Sequence, residues 1–206
     1  MTDDTRITWL LDNGHGGIID GVYQTEGKRS PVWPDGSRLF EGEFNRAIVA
    51  RLMAHMSKAG YNYVNLVPEH TDVSLGSRVQ RANSLHGAKT CIYLSIHSNM
   101  GGGSGFEIYT SKGDTLSDRI APVFFEAFKQ EFPNAPMRSD MTDGDVDKEA
   151  DFYVLKNTYM PAILTESFFY DNHDECMLLM SDAGRDRIAK AHFMAIKHIE
   201  EKGIGG

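Results

Sequence analysis

Three apolar runs in this chain break off into side chains able to bind a metal ion or move a proton. The stretch "LLDNGHGG" (10–17) ends in Asp12, Asn13, Gly14 and His15, and "YLSIHSN" (93–99) ends in Ser95, His97, Ser98 and Asn99. The third, "LTESFF" (164–169), carries Glu166 inside an apolar run. An acid there is costly to bury unless it is paired, hydrogen-bonded or bound to a cation. Taken singly, His15 is an ordinary turn residue and His97 a strand-end polar group. Taken together, two imidazoles and a carboxylate match the ligand set of a catalytic zinc that keeps one position open. The remaining ligand has two candidate sources, Glu41 and Glu43 in "LFEGEFNRAIVARL" (39–52). Spacing does not choose between them, and acids at a helix start are also favoured by the helix dipole.

The elements that must position these groups alternate between short apolar runs and segments of helical period. Strands are predicted at 7–12, 61–68, 90–97, 105–111, 152–156 and 161–169. Helices are predicted where Phe44, Ile48, Leu52 and Met56 recur before Gly60, over 74–87, from Leu116 to Phe128, and from Ile188 to Ile199. This order predicts an α/β fold: a single domain over 1–206, with a twisted, mostly parallel central sheet of about six strands and helices on both faces. In such sheets ligands gather where strands end at their carboxyl side. Two stretches, 18–40 and 138–151, lack periodicity and are expected to be long loops, the usual home of functional segments.

Bulk properties exclude several classes. The 206 residues carry a formal net charge of −8, which disfavours nucleic acid and anionic membranes as partners. The two cysteines, Cys91 and Cys176, are too few for a cysteine zinc site, and Cys91 reads as a small core residue. The N-terminal "MTDDTR" is acidic where a signal peptide is basic, and no apolar run approaches a membrane span. Synthesis in the cytoplasm without a signal peptide is therefore expected. The tract "GGGSG" (101–105) fits neither a nucleophile elbow nor a phosphate loop and reads as a mobile turn. The histidines at 55, 70, 86, 173, 192 and 198 read as solvent-facing or structural.

As a set, the motifs resemble the zinc-dependent N-acetylmuramoyl-L-alanine amidases of the amidase-3 type. "DNGHGG" (12–17) is similar to the family's Asp-Pro-Gly-His-Gly-Gly turn. Its metal-binding Glu, four residues ahead of a polar residue, resembles Glu41 and Asn45, which selects Glu41 over Glu43. The Arg-x-x-x-Ala-Asn step resembles Arg78 to Asn83, and the Ser-Ile-His-Ala-Asn strand end resembles "SIHSN" (95–99). The closing pattern of Glu, Phe, Asn and Asp resembles Glu166, Phe169, Asn172 and Asp174 in "ESFFYDNHD". The chain departs from the pattern at Asn13 (usually Pro), Ser98 (usually Ala) and Phe168 (commonly Gly).

The resemblance implies one Zn2+ per chain held by His15, Glu41 and His97, with Glu166 as the catalytic acid and base. It implies hydrolysis of the amide between N-acetylmuramic acid and L-alanine in peptidoglycan. Asp12 is expected to orient the His15 ring, and Gly14, Gly16 and Gly17 to let the backbone turn tightly. The expected setting is a phage endolysin, acting as a monomer on the cell wall after release. Two rivals stand beside it: a zinc peptidase acting on the stem peptide, and a non-catalytic peptidoglycan-binding module.

Overall fold

The computed structural model describes residues 7–142 and 144–204; the acidic N-terminal stretch 1–6 lies outside them. In chain order the elements are β1 (Thr8–Asn13), β2 (Ile18–Ile19), β3 (Val22–Tyr23), α1 (Glu41–Ala59), β4 (Asn62–Asn65), α2 (Leu75–Leu85), β5 (Cys91–Asn99), β6 (Phe106–Thr110), α3 (Ser117–Glu131), β7 (Lys148–Glu149), α4 (Tyr153–Asn157), β8 (Ala162–Phe169), α5 (His173–Met180) and α6 (Asp182–Lys202). Six strands form one sheet in the order β4-β1-β5-β8-β6-β7. All neighbours run parallel except β6 and β8. The predicted α/β architecture, with its mostly parallel sheet of six strands, is therefore found. Among the described residues no helix is long and apolar enough to cross a membrane.

Period-two alternation divides the sheet between two cores. Trp9 and Leu11 of β1, Ile92, Leu94 and Ile96 of β5, and Ile163 of β8 pack into the cluster that includes Phe44, Phe124 and Ile196 of α1, α3 and α6. Leu10, Tyr93 and Leu164 face the other side, with Val79 of α2 and Val154 and Leu155 of α4. From β1 the chain passes through α1 to β4 on one side, then through α2 to β5 on the other. The strand order thus reverses between β1 and β5, and ligand crevices of doubly wound sheets open at such a switch point.

One predicted strand is overturned. Residues 153–157 form helix α4, and the sixth strand is the two-residue β7 inside the stretch predicted as a loop. A five-residue apolar run fits either structure, and burial decides here: adjacent residues Val154 and Leu155 are both buried while Phe152 and Tyr153 are exposed. The stretch 18–40 contains a small antiparallel hairpin, β2–β3, and α5 lies where no helix was predicted.

His192 is fully buried beneath the sheet, its ring between Thr165 Oγ1 and the Ile188 carbonyl at 2.9 Å each. Burial lowers its pKa from 6.5 to about 4. The unfolded chain therefore binds the extra proton first, and this contribution to stability, present above pH 6.5, is lost as pH falls towards 4. A shift of this size corresponds to about 3 kcal/mol. Urea unfolding at pH 7 and pH 4.5 should show a fall in stability that is shallower in His192→Gln; equal falls in both proteins would contradict this assignment.

Candidate active site

Because β1, β5 and β8 are parallel neighbours, their carboxyl ends emerge side by side. Tyr93, Ser95 and His97 alternate onto the α2/α4 face, and His97 stands in register opposite Glu166. Glu166 in turn stands opposite Glu107 of β6. Period-two geometry alone thus carries His97 and Glu166 into one row, on the floor of a cleft of about 550 Å³. His15, Lys28, Phe152 and Tyr153 contribute to its walls.

Glu41 enters from the opposite side, at the first residue of α1, with 1% of its surface exposed. Its Oε1 lies 2.9 Å from His97 Nδ1 and 3.1 Å from His15 Nε2. The two imidazoles meet edge to face with centroids 4.9 Å apart. One potential ligand atom from each of His15, Glu41 and His97 lies within 4.8 Å of the others. Glu43 is not in this group; its Oε1 accepts from the Ile18 backbone N–H at 2.8 Å and holds the β2–β3 segment on α1. That segment also completes the helix start. Phe40 offers no side-chain cap, so Gly42 N–H donates to the Tyr23 hydroxyl and Glu41 N–H to the Lys28 carbonyl.

The charges follow from this packing. Burial works against the charge on Glu41, yet the two histidine contacts hold its carboxyl well below the usual range. Burial also opposes the charged form of His97, but the bond and charge of Glu41 raise its pKa overall. For His15 burial prevails and the value falls. Glu166 goes the other way: burial pushes its carboxyl up to about 8, with Glu41 adding to the rise and His97 opposing it. An acid near neutrality, aimed into a cleft beside two histidines, is able to exchange protons at physiological pH.

His15 adopts φ +71°, a left-handed conformation that costs a non-glycine residue about 1–3 kcal/mol. Three side chains hold it there. Arg46 Nη1 donates to the His15 carbonyl at 3.0 Å, Arg78 Nη2 to the same oxygen at 3.4 Å, and Asn45 Nδ2 to the Gly14 carbonyl at 2.8 Å. Arg46 was missed by sequence reasoning, since an arginine on an amphipathic helix carries no distinguishing signal. The expectation for Asp12 is corrected: its carboxylate accepts from Arg78, Tyr93 and Ser95, and the His15 nitrogen facing the cluster points at Glu41. Asp12 and Arg78 form a buried ion pair that anchors the strand end to α2.

The glycine reading is also refined. Gly14 is needed because the His97 ring lies against it; a Cβ there would sit 1.9 Å from His97 Cε1. Phe168 occupies a bulge, where β8 carries one more residue than β5 between His97 and Asn99, and its φ is +64°. A glycine suits such a position, which accounts for the departure noted at this residue. The tract 101–105 is tethered: Gly101 and Gly102 N–H donate to Asp171, and Gly105 N–H to Glu175. Asn172 caps α5, Phe169 packs on Gly103, and Asp174 is exposed at the surface. Asn83 holds the α4–β8 connection through Asn157 and Tyr159.

A doubly wound α/β sheet thus carries a His-Glu-His cluster and a half-buried acid beside the cleft at its switch point. The chain belongs to the amidase-3 family, described as N-acetylmuramoyl-L-alanine amidase, whose model matches residues 10–198. It is 33% identical to the N-acetylmuramoyl-L-alanine amidase CwlM of Bacillus licheniformis, covering 89% of this chain and 64% of that protein. It is 28% identical to the endolysin of Bacillus phage SPP1, covering 95% of this chain and 66% of that protein. The chain thus spans about two thirds of the length of these curated relatives. The fold is that of the solved N-acetylmuramyl-L-alanine amidase Ami1 from Mycobacterium smegmatis, with a TM-score of 0.77 at 21% identity over 95% of this chain and 97% of that one.

Removing Arg78 would strand the Asp12 carboxylate without a counter-charge. Arg78→Met should cost about 3–5 kcal/mol in urea unfolding, and the Asp12→Asn, Arg78→Met double variant should recover part of that loss. Additive losses would show that the pair does not act as a unit.

Proposed function

We propose that this chain is a zinc-dependent N-acetylmuramoyl-L-alanine amidase, working as one catalytic domain and as a monomer on peptidoglycan. It would cut the amide between the lactyl group of N-acetylmuramic acid and L-alanine of the stem peptide. The observation that carries this reading is the convergence of His15, Glu41 and His97 beside a cleft whose lining includes His15, His97 and Glu166. Buried Glu41 Oε2 has no hydrogen-bond partner, and His15 Nε2 faces the same carboxylate, an arrangement that a shared cation would satisfy. Two imidazoles and one carboxylate are also a donor set that catalytic zinc accepts while leaving a position open.

His15, Glu41 and His97 would hold the ion. When bound, zinc supplies Lewis-acid polarisation of the scissile carbonyl and brings the pKa of water towards neutrality. Glu166 takes the proton from the attacking water oxygen and delivers it to the departing alanine nitrogen. Burial raises its pKa above the usual carboxylate range and a bound cation would pull it back, so both halves of that task lie within its reach. Asn45, Arg46 and Arg78 act through the backbone, keeping His15 turned towards Glu41 at the cost of its strained φ. Leu75, Phe152 and Tyr153, all exposed at the cleft wall, offer apolar surface to a glycan or peptide. The likeness to the SPP1 endolysin supports a role in phage lysis, acting on the wall after release.

Purified sacculi separate the readings. The metal-loaded chain should strip whole stems from the glycan and expose L-alanine amino termini, and a chelator should stop it. Cuts inside the stem would instead identify a zinc peptidase, and sedimentation with sacculi without any fragments a binding module. Glu166→Ala should lower turnover by roughly 10²–10⁴-fold while zinc stays stoichiometric by elemental analysis. His97→Ala should lose zinc and activity together. Near-normal turnover in the first variant, or full zinc in the second, would refute the corresponding role.

A further inference from the structure

Away from the cleft, three acids meet where β6, β7 and the start of α3 come together. We propose that Asp118, Asp145 and Asp147 form a second cation site, for a hard divalent ion of calcium's size.

One carboxylate oxygen from each lies within 4.8 Å of the others. Ligands around an ion bound at 2.3–2.6 Å are separated by at most about 5 Å, a span that these three oxygens fall within. Asp147 is 1% exposed, yet no N–H or hydroxyl donates to its Oδ1, nor to the buried Oδ1 of Asp145. Asp147 Oδ2 accepts from Thr110 Oγ1 at 2.5 Å, which fixes the carboxylate in place at the end of β6. Among the described residues no lysine, arginine or histidine forms an ion pair with any of the three acids. The neighbouring cation, Lys148, is committed to Glu107 at 2.6 Å. Burial, opposed by the Thr110 hydroxyl and reinforced by a bond with Asp145 and the charges of Asp145 and Asp118, pushes the Asp147 carboxyl up to about 7. Like charges held this close need a counter-charge or a shared proton.

The donor chemistry selects the ion. Every ligand atom is a carboxylate oxygen, with no nitrogen or sulfur to favour a transition metal. Three chain carboxylates exceed the one or two that magnesium ordinarily takes, and match the oxygen-rich shell of calcium, whose remaining positions water can fill. The ion would pin the outgoing end of segment 138–151 to α3. The incoming end of that segment is already held, by Arg138 on the buried carboxylate of Glu107.

Calcium chloride titrated calorimetrically into the full chain should give saturable heat near one site per molecule. Saturating calcium should also raise the melting temperature by roughly 5 °C or more. Asp147→Asn and Asp118→Asn should each lose the heat and the shift, while Asp174→Asn, at an exposed surface acid, should keep both. Asp147→Asn should melt at least as high as the parent in calcium-free buffer, because it removes one of the opposed charges. Should that variant not fold, Asp118→Asn decides the matter. Absence of saturable heat in the parent, or heat that survives both substitutions, would overturn the site. Equal heat with magnesium would overturn the choice of calcium, and a melting temperature that responds to pH around 7 but not to calcium would assign a shared proton instead.

Discussion

A carboxylate cannot be buried alone, and the placement of Glu41 between two imidazoles is the constraint around which this molecule is organised. The side chain is 1% exposed at the first residue of α1, and His15 and His97 answer it from the ends of β1 and β5. Those strands are neighbours in a parallel sheet, so their carboxyl ends emerge at the same edge, and the start of α1 packed over that edge brings the acid between them. Sheet order, helix position and side-chain chemistry therefore depend on one another. The His-Glu-His geometry follows from the topology rather than from a dedicated loop.

The same edge is where backbone strain collects. His15 and Phe168 both hold positive φ, the first in the turn after β1 and the second in the bulge near the end of β8. Each costs about 1–3 kcal/mol and each is over-determined by its surroundings. Arg46, Arg78 and Asn45 grip the carbonyls of Gly14 and His15, and the Phe168 ring is buried against Phe132 at 5.0 Å. Several polar residues singled out by their motif spacing turn out to be these grips. Asn45, Arg78 and Asn83 hydrogen-bond to backbone carbonyls or amides and set the loops that carry the site.

Much of this was legible in the chain. The helical period of Phe44, Ile48, Leu52 and Met56, and the dense apolar runs of β1, β5 and β8, specify elements strongly because burial of one face or both leaves a pattern in sequence. Legibility failed where the pattern is short. "FYVLK" has too few residues to distinguish period two from period 3.6, and α4 became helical because Val154 and Leu155 are both drawn into the core beneath the sheet. Short paired pieces such as β2, β3 and β7 leave no periodicity at all, because two residues cannot alternate.

By itself the sequence determined which residue types could do chemistry: His15 and His97 at strand ends, an acid at the head of the first long helix, and Glu166 within an apolar strand. Their convergence was decided only in three dimensions, because they lie far apart along the chain and meet through strand order and register. Asp12 shows the difference plainly. Its sequence neighbourhood pointed to His15 three residues on, yet in the fold its oxygens turn to Arg78, Tyr93 and Ser95. A buried carboxylate takes the donors that packing brings within reach, and proximity along the chain does not set which those are.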